Sequence, residues 1–475
     1  MVSSRFKNGY EFRGKHLVAA AWILVLVIYF AYQPPVVRNS FSHADAIHFN
    51  AAVVDAHSDT LMKILDQRGF PVVDLGNDTA FDIDIPKLMR GGVDVQLFAI
   101  WATDKQFPGR SRHWTLAGIN ALYYTVVKNS ANIAIAKSPG ELEQLINDGR
   151  IVAVAALEGA DSLKPPHGIN LLRQYYDLGV RIVALTWNYS NFLAVGYNDV
   201  VRQGPGRGLF QYGRSVVKEL DRLGIVIDVS HLAEPAFWDV MELTTNPVIA
   251  SHSGVYSLRN HYRNLTDQQI RAIAKSGGVV QVVFHSHFLK KLGSNVTSKT
   301  VADHIDYVVK LVGIDHVGIG SDFDGLGQMP GDLRDAAMLP NLTKELLGRG
   351  YSKDDIDKIM GGNTLRIMEK VWGDTISDEK AAAVKLRPIK PGQIGQCISE
   401  RKPILAAKVI GDIAQKKIRF KVLVDGKEYQ NNYDIESKLV SVPIVKPLDK
   451  GFHVVTFIFL HEGKSVQETL IFYAS

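Results

Sequence analysis

Four short strings of residues able to ligate a metal each close an apolar, strand-like run: His57-Ser58-Asp59, Glu158, His231 and His252. A fifth run ends in Asp322-Phe323-Asp324-Gly325. Imidazoles and carboxylates gathered at one point can hold a divalent cation and use it to activate water. Core packing has no need of polar clusters at five strand ends. A metal site at the mouth of a barrel does, because its ligands must arrive from distant parts of the chain.

His57 and Asp59 stand two apart, so strand alternation aims both side chains the same way. The competing reading of Asp59 is a helix N-cap. Glu158 follows an apolar run, Ile151 to Leu157. A carboxylate there is costly unless paired. An arginine is its ordinary partner; alternatively, two cations share its two oxygens. His231 closes Ile225-Val-Ile-Asp-Val-Ser-His231, and His252 closes Pro247-Val-Ile-Ala-Ser-His252. Either alone reads as a satisfied core histidine. Together with His57, Asp59 and Glu158 at matching strand ends, they read as a zinc or manganese site. Asp322 can be a ligand, a general acid–base or a substrate anchor. Asp324 with Gly325 reads as a turn. His285 and His287 either line the pocket or sit in a solvated loop.

The elements that must position these groups are eight runs rich in Val, Ile and Ala: Ala52–Ala56, Val93–Trp101, Ile151–Leu157, Arg181–Thr186, Ile225–Val229, Pro247–Ser251, Gly278–Phe284 and His316–Gly320. They do not alternate, as expected of strands buried on both faces. Helical patterns fill the gaps, for example Tyr212–Leu223, which stops at Gly224. The repeating order predicts an α/β fold, a (β/α)8 TIM-type barrel over residues 50–375. After a linker at 376–394, short alternating runs predict a small all-β, sandwich-like domain at 395–475. Its His453 and His461 read as surface residues.

The N-terminus predicts a membrane helix. Basic residues within 1–15 precede an uncharged apolar run at 16–32, and a linker at 33–49 follows. Positive charge before the run predicts a cytoplasmic N-terminus and an exported catalytic unit, periplasmic or extracellular. A cleaved signal and a secreted protein is the alternative. The chain has 475 residues and a net charge of +5 with both signs interspersed, so no nucleic acid is implied. Its single cysteine, Cys397, excludes an internal disulfide and a cysteine-based zinc site.

Several strings resemble, in type and order, those of the membrane dipeptidases (renal dipeptidase-like, peptidase family M19). They are Asp55-Ala-His-Ser-Asp59, Leu157-Glu-Gly159, Val217-Lys-Glu-Leu-Asp-Arg-Leu-Gly224, Ile227-Asp-Val-Ser-His231, Ser251-His-Ser253, Arg263-Asn264 and Gly320-Ser-Asp-Phe-Asp-Gly325. The resemblance implies a barrel of the metal-dependent hydrolase kind with two zinc ions. It implies that His57 and Asp59 bind one zinc, His231 and His252 the other, and that Glu158 bridges them. It further implies Asp322 beside the scissile bond and Arg263 on the carboxylate of a dipeptide substrate. Two such cations can share a hydroxide that attacks the peptide carbonyl, and Asp322 can pass the proton to the leaving amine. Some members carry a histidine after the fourth strand. Here Leu185-Thr-Trp-Asn188 puts Trp187 there, which can wall the pocket but cannot carry protons.

The reading is therefore a binuclear zinc dipeptidase at a membrane, and it admits a homodimer. Its rivals are another amidohydrolase-type enzyme, a lactonase or deaminase, and a catalytically weak cell-surface binding protein that uses the β-domain. Against the first rival stand His-x-Asp and Glu158, where such enzymes usually show His-x-His and a lysine or histidine bridge.

Overall fold

The computed structural model describes residues 42–203, 208–291, 294–325, 327–372, 384–411, 418–461 and 464–475. The predicted membrane segment at 16–32 lies outside them. Among the described residues no helix is long and apolar enough to cross a membrane.

Each of the eight aliphatic runs overlaps one barrel strand. The strands are β1 (Val54–Ser58), β2 (Val95–Ile100), β3 (Ile133–Ile135), β4 (Ile151–Glu158), β5 (Val180–Ala184), β6 (Val226–Asp228), β7 (Ile249–Ser253), β8 (Val279–Val282) and β9 (Val317–Ile319). Eight pair in the order β1-β2-β4-β5-β6-β7-β8-β9, and β3 pairs only with β4. All these ladders are parallel. The residues just after β9 close the cylinder onto β1: Asp322 N–H donates to His57 C=O at 3.1 Å, and Asp59 N–H to Phe323 C=O at 2.9 Å.

Burial on both faces explains the missing alternation; every residue of β2 and β4 is buried. One face joins the core under the helices. The other fills the barrel with Val54, Leu97, Val154, Ile182, Val226, Ile249 and Val279, and Ile367, Met368, Val371 and Trp372 of the last helix pack beneath them. Gly224, at φ +70°, ends the helix Gln211–Leu223; a Cβ there would stand 2.6 Å from the Val371 carbonyl oxygen. The last helix can come this close because the stop is glycine. One end of the barrel is thus plugged, and the predicted ligands lie at the other, carboxyl, end.

The C-terminal unit has two sheets around its own apolar core. It comprises β10 (Lys385–Lys390), β11 (Gln396–Ile398), β12 (Ile404–Ile410), β13 (Arg419–Val424), β14 (Lys427–Tyr429), β15 (Asn432–Asp434), β16 (Leu439–Pro443), β17 (Gly451–His461) and β18 (Lys464–Ala474). The sheets run β10-β12-β16-β15 and β11-β18-β17-β13-β14. Two sequence expectations need correction. β10 lies inside the run read as linker; it is an edge strand, where Pro388 costs no ladder bond. His453 is buried, with Nδ1 2.7 Å from Asp425 and Nε2 2.8 Å from the Asp449 carbonyl.

This unit is docked on the barrel. Phe452, Val454, Ile471 and Tyr473 join the barrel's outer core. Phe452 N–H donates to His113 at 2.9 Å, and Gln174 donates to Thr456 at 2.9 Å. Asp177 accepts from Gln467 at 2.7 Å and from Thr469 at 2.9 Å. Burial pushes the Asp177 carboxyl up to about 6, against the Thr469 bond and the Lys137 charge. The folded state therefore holds this proton more tightly than the unfolded chain, and the stability it contributes in acid is lost as pH rises from about 4 through about 6. Asp177→Asn removes the titration. Melting curves of both proteins across pH 4–7 are expected to show the variant's midpoint rising relative to wild type; a constant difference would refute it.

Candidate metal centre

Glu158 ends β4 with its side chain 5% exposed and faces histidines on both sides. Oε1 lies 2.8 Å from His231 Nε2 and 3.6 Å from His252 Nε2. Oε2 lies 3.6 Å from His57 Nε2, which is 3.8 Å from Asp59 Oδ1. Among the described residues no arginine forms an ion pair with this carboxylate, so the simple salt-bridge reading falls. Ligand atoms of His57, Asp59 and Glu158 lie within 4.8 Å of one another, as do those of Glu158, His231 and His252, and of His57, His252 and Asp322.

The first of these groups has a specific deficiency. His57 Nε2, Asp59 Oδ1 and Glu158 Oε2 are sealed from solvent, and none has a hydrogen-bond partner. Buried polar atoms are normally satisfied. Three orphans that converge are the donor set of a cation, so the residues present fit a divalent metal.

Local backbone irregularities aim these groups. The β1–β2 register shifts between Asp55 and Ser58, and the β7–β8 register between Ala250 and Ser253. His57 and His252 sit within those two shifts. Such bulges redirect side chains beside active sites. Asp59 does occupy the N-cap position of the helix Thr60–Lys63, yet its side chain makes no capping bond. Asp322 has φ +64°, a left-handed conformation uncommon outside glycine. Asp324, at φ +62°, does more than shape a turn: it accepts from Thr60 Oγ1 at 2.7 Å and Asp82 N–H at 3.0 Å, pinning two loops of the barrel mouth.

Electrostatics at this end are strongly coupled. Burial alone would raise the Glu158 carboxyl, but the His57 charge and the His231 bond hold it well below the usual range. Burial and the Glu158 charge push Asp59 up to about 6. Burial and the neighbouring Asp59 charge hold Asp322 well above the usual range. Burial and Arg263 press His231 down to about 4, which favours neutral, ligating imidazole.

The structure also brings in Arg263 and Trp187. Arg263 is buried; it donates to the Ser230 carbonyl and to His252 Nε2 at 2.7 Å. Trp187 is half-buried, its ring 6.2 Å from His231, stacked on Trp101 at 5.7 Å and 10°. His285 and His287 stand farther round the rim, where His285 stacks on Phe288 and His287 meets His261. Sequence reasoning missed Asn188, whose Oδ1 lies 3.0 Å from His231 Nδ1, and Ser251, which lies 2.8 Å from His252 Nδ1 and 3.3 Å from His57 Nδ1. Their signal was adjacency: each stands beside a residue already singled out.

Comparison with known proteins agrees with this geometry. Residues 41–381 match the family described as membrane dipeptidase, peptidase family M19. An uncharacterized dipeptidase of Schizosaccharomyces pombe is 32% identical over 363 residues, covering 73% of this chain and 86% of the relative. A metallopeptidase from Rhodobacter sphaeroides, solved with a phosphinate mimic of the dipeptide L-Ala-D-Ala, has a TM-score of 0.61 and 27% identity over 68% of this chain and 99% of its own. A probable dipeptidase, PvdM, from Pseudomonas aeruginosa gives 0.64 and 26% over 71% and 99%. The family match ends before β10.

Glu158→Gln keeps the shape but removes the charge. The variant is expected to release metal at a chelator concentration at least about tenfold lower than wild type. Unchanged retention would remove Glu158 from the ligand set.

Proposed function

The chain belongs to the membrane dipeptidase family, peptidase family M19, and from that premise we propose a zinc-dependent dipeptidase with two zinc ions per chain. The observation that supports this most is Glu158, whose two oxygens face two separate sets of ligand atoms. His57 and Asp59 would hold one ion, His231 and His252 the other, and Glu158 both. When bound, the ions supply Lewis acidity and bring the pKa of water towards neutral.

The chain's own residues do the rest. Asp322, held protonatable by its buried and acidic surroundings, takes a proton from the attacking water and returns it to the leaving nitrogen as the C–N bond breaks. Arg263 presents a planar fork to the carboxylate of the free C-terminus. Its contacts to Ser230 and His252 do not exhaust five donors. That clamp, close to the ligands, restricts substrates to very short peptides. Trp187 with Trp101 walls the pocket and takes an apolar substrate side chain. From the basic residues ahead of the apolar run at 16–32 we also propose that the catalytic unit stands on the exported side, anchored by that run or released by its cleavage.

The buried set His57, Asp59 and Glu158 does not favour a lactonase or deaminase. Competition of a lactone against dipeptides separates the two. The full chain with zinc is expected to cleave L,L or L,D dipeptides and to spare their C-terminal amides. No turnover across that panel, with two zinc ions bound, would sink the proposal. Asp322→Asn is expected to lower kcat by about 10²–10⁴ with metal content unchanged. Trp187→Ala is expected to raise KM for dipeptides with bulky apolar side chains while sparing Gly-Gly, as steady-state kinetics would reveal.

A further inference from the structure

Behind the ligands lies a buried hydroxyl that touches two of them. Ser251, 1% exposed, has its Oγ 2.5 Å from Asp228 Oδ2, 2.8 Å from His252 Nδ1 and 3.3 Å from His57 Nδ1. The resemblance assigned these histidines to different metals. One serine thus stands between the two halves of the site.

A hydroxyl has one proton and two lone pairs. Asp228 is acceptor-only when ionised, and at 2.5 Å it must receive the Ser251 proton. Its other oxygen is occupied: Oδ1 accepts from Ser230 Oγ at 2.8 Å and from the backbone N–H groups of Ser230 and Ser251 at 3.0 Å. The Ser230 proton also goes to Asp228, so the 3.2 Å approach of the two serine oxygens adds no donor towards the histidines. The Ser251 oxygen is left with lone pairs only. Both imidazoles must then donate to it.

An independent contact agrees. Arg263 is a donor without acceptor capacity, and it points at His252 Nε2 from 2.7 Å. His252 therefore carries its proton on Nδ1.

We infer that Ser251, oriented by Asp228, is a positioning residue that fixes His57 and His252 together in the Nδ1–H tautomer, leaving both Nε2 lone pairs for metal. Asn188 does the same for His231 from the other side, through a carbonyl oxygen 3.0 Å from Nδ1. Because one hydroxyl serves two ligands, the two metal affinities are coupled through it. Asp228 also supports the frame, since β6 and β7 share one ladder pair, Asp228 with Ile249. The test must therefore separate positioning from support.

The inference rests on the metal-centre reading, and its test does not use turnover. Zinc-loaded full-length protein labelled with ¹⁵N-histidine is expected to show His57 and His252 protonated at Nδ1 and free of a proton at Nε2; an Nε2–H signal from either ring overturns the proposal. Zinc-loaded Ser251→Ala is expected to lose both ions at a chelator concentration roughly 10–100-fold below wild type. Ser251→Thr, which keeps the hydroxyl, is expected to retain them. Wild-type retention in the alanine variant overturns the proposal. So does equal loss in both variants with unaltered tautomers, which marks a merely structural role. Failure of dipeptide hydrolysis, by contrast, leaves both readouts as stated.

Discussion

A carboxylate at the end of an aliphatic strand is the constraint on which this site depends. Glu158 follows seven buried apolar residues, and its desolvation must be offset by positive charge nearby. Among the described residues no arginine or lysine forms an ion pair with it. The chain offers three imidazoles, two of them pressed below their ordinary pKa. Burial opposes charge on the third, His57, yet Glu158 and Asp59 raise its pKa, and one imidazolium cannot balance the two carboxylates it faces. Divalent cations can, and the orphaned atoms of His57, Asp59 and Glu158 mark where one would be held. Ligand spacing, strand bulges and the buried serine behind the histidines all read as arrangements around that one charge.

How much of this is legible in the sequence depends on the distance over which each feature is encoded. The barrel strands are local facts: short aliphatic runs bounded by polar residues, and every run overlaps its strand. The five candidate ligands were legible as a pattern, since polar residues at strand ends have no packing reason to recur. Their mutual geometry was not. Simple alternation pairs His57 with Asp59, but the register shifts before Ser58 and Ser253 are set by neighbouring strands and leave no mark in the string. Ser251 and Asn188 look like ordinary polar neighbours until two other strands are laid beside them.

The C-terminal unit illustrates the same limit. Its alternating strands announced themselves, whereas β10 hid behind prolines that an edge strand tolerates. His453 read as a surface residue, yet it lies in a buried, apolar strand and is held by Asp425 and the Asp449 backbone, brought alongside by the fold. Nor could composition reveal that Phe452 and Tyr473 complete the barrel's outer core. Units that share a core in this way resist independent motion more than units joined by a tether.

The closing seam of the barrel has a kinetic side. β1 meets the segment after β9 through the Asp322–His57 and Asp59–Phe323 backbone bonds, and these pairs are separated by more than half of the chain. Contacts of such sequence separation pay their loop-closure entropy before they are rewarded. His57 and Asp322 therefore meet only after the intervening strands have been made. During synthesis, this seam cannot pre-exist in a nascent fragment. A chain truncated before Asp322 lacks both bonds of the seam.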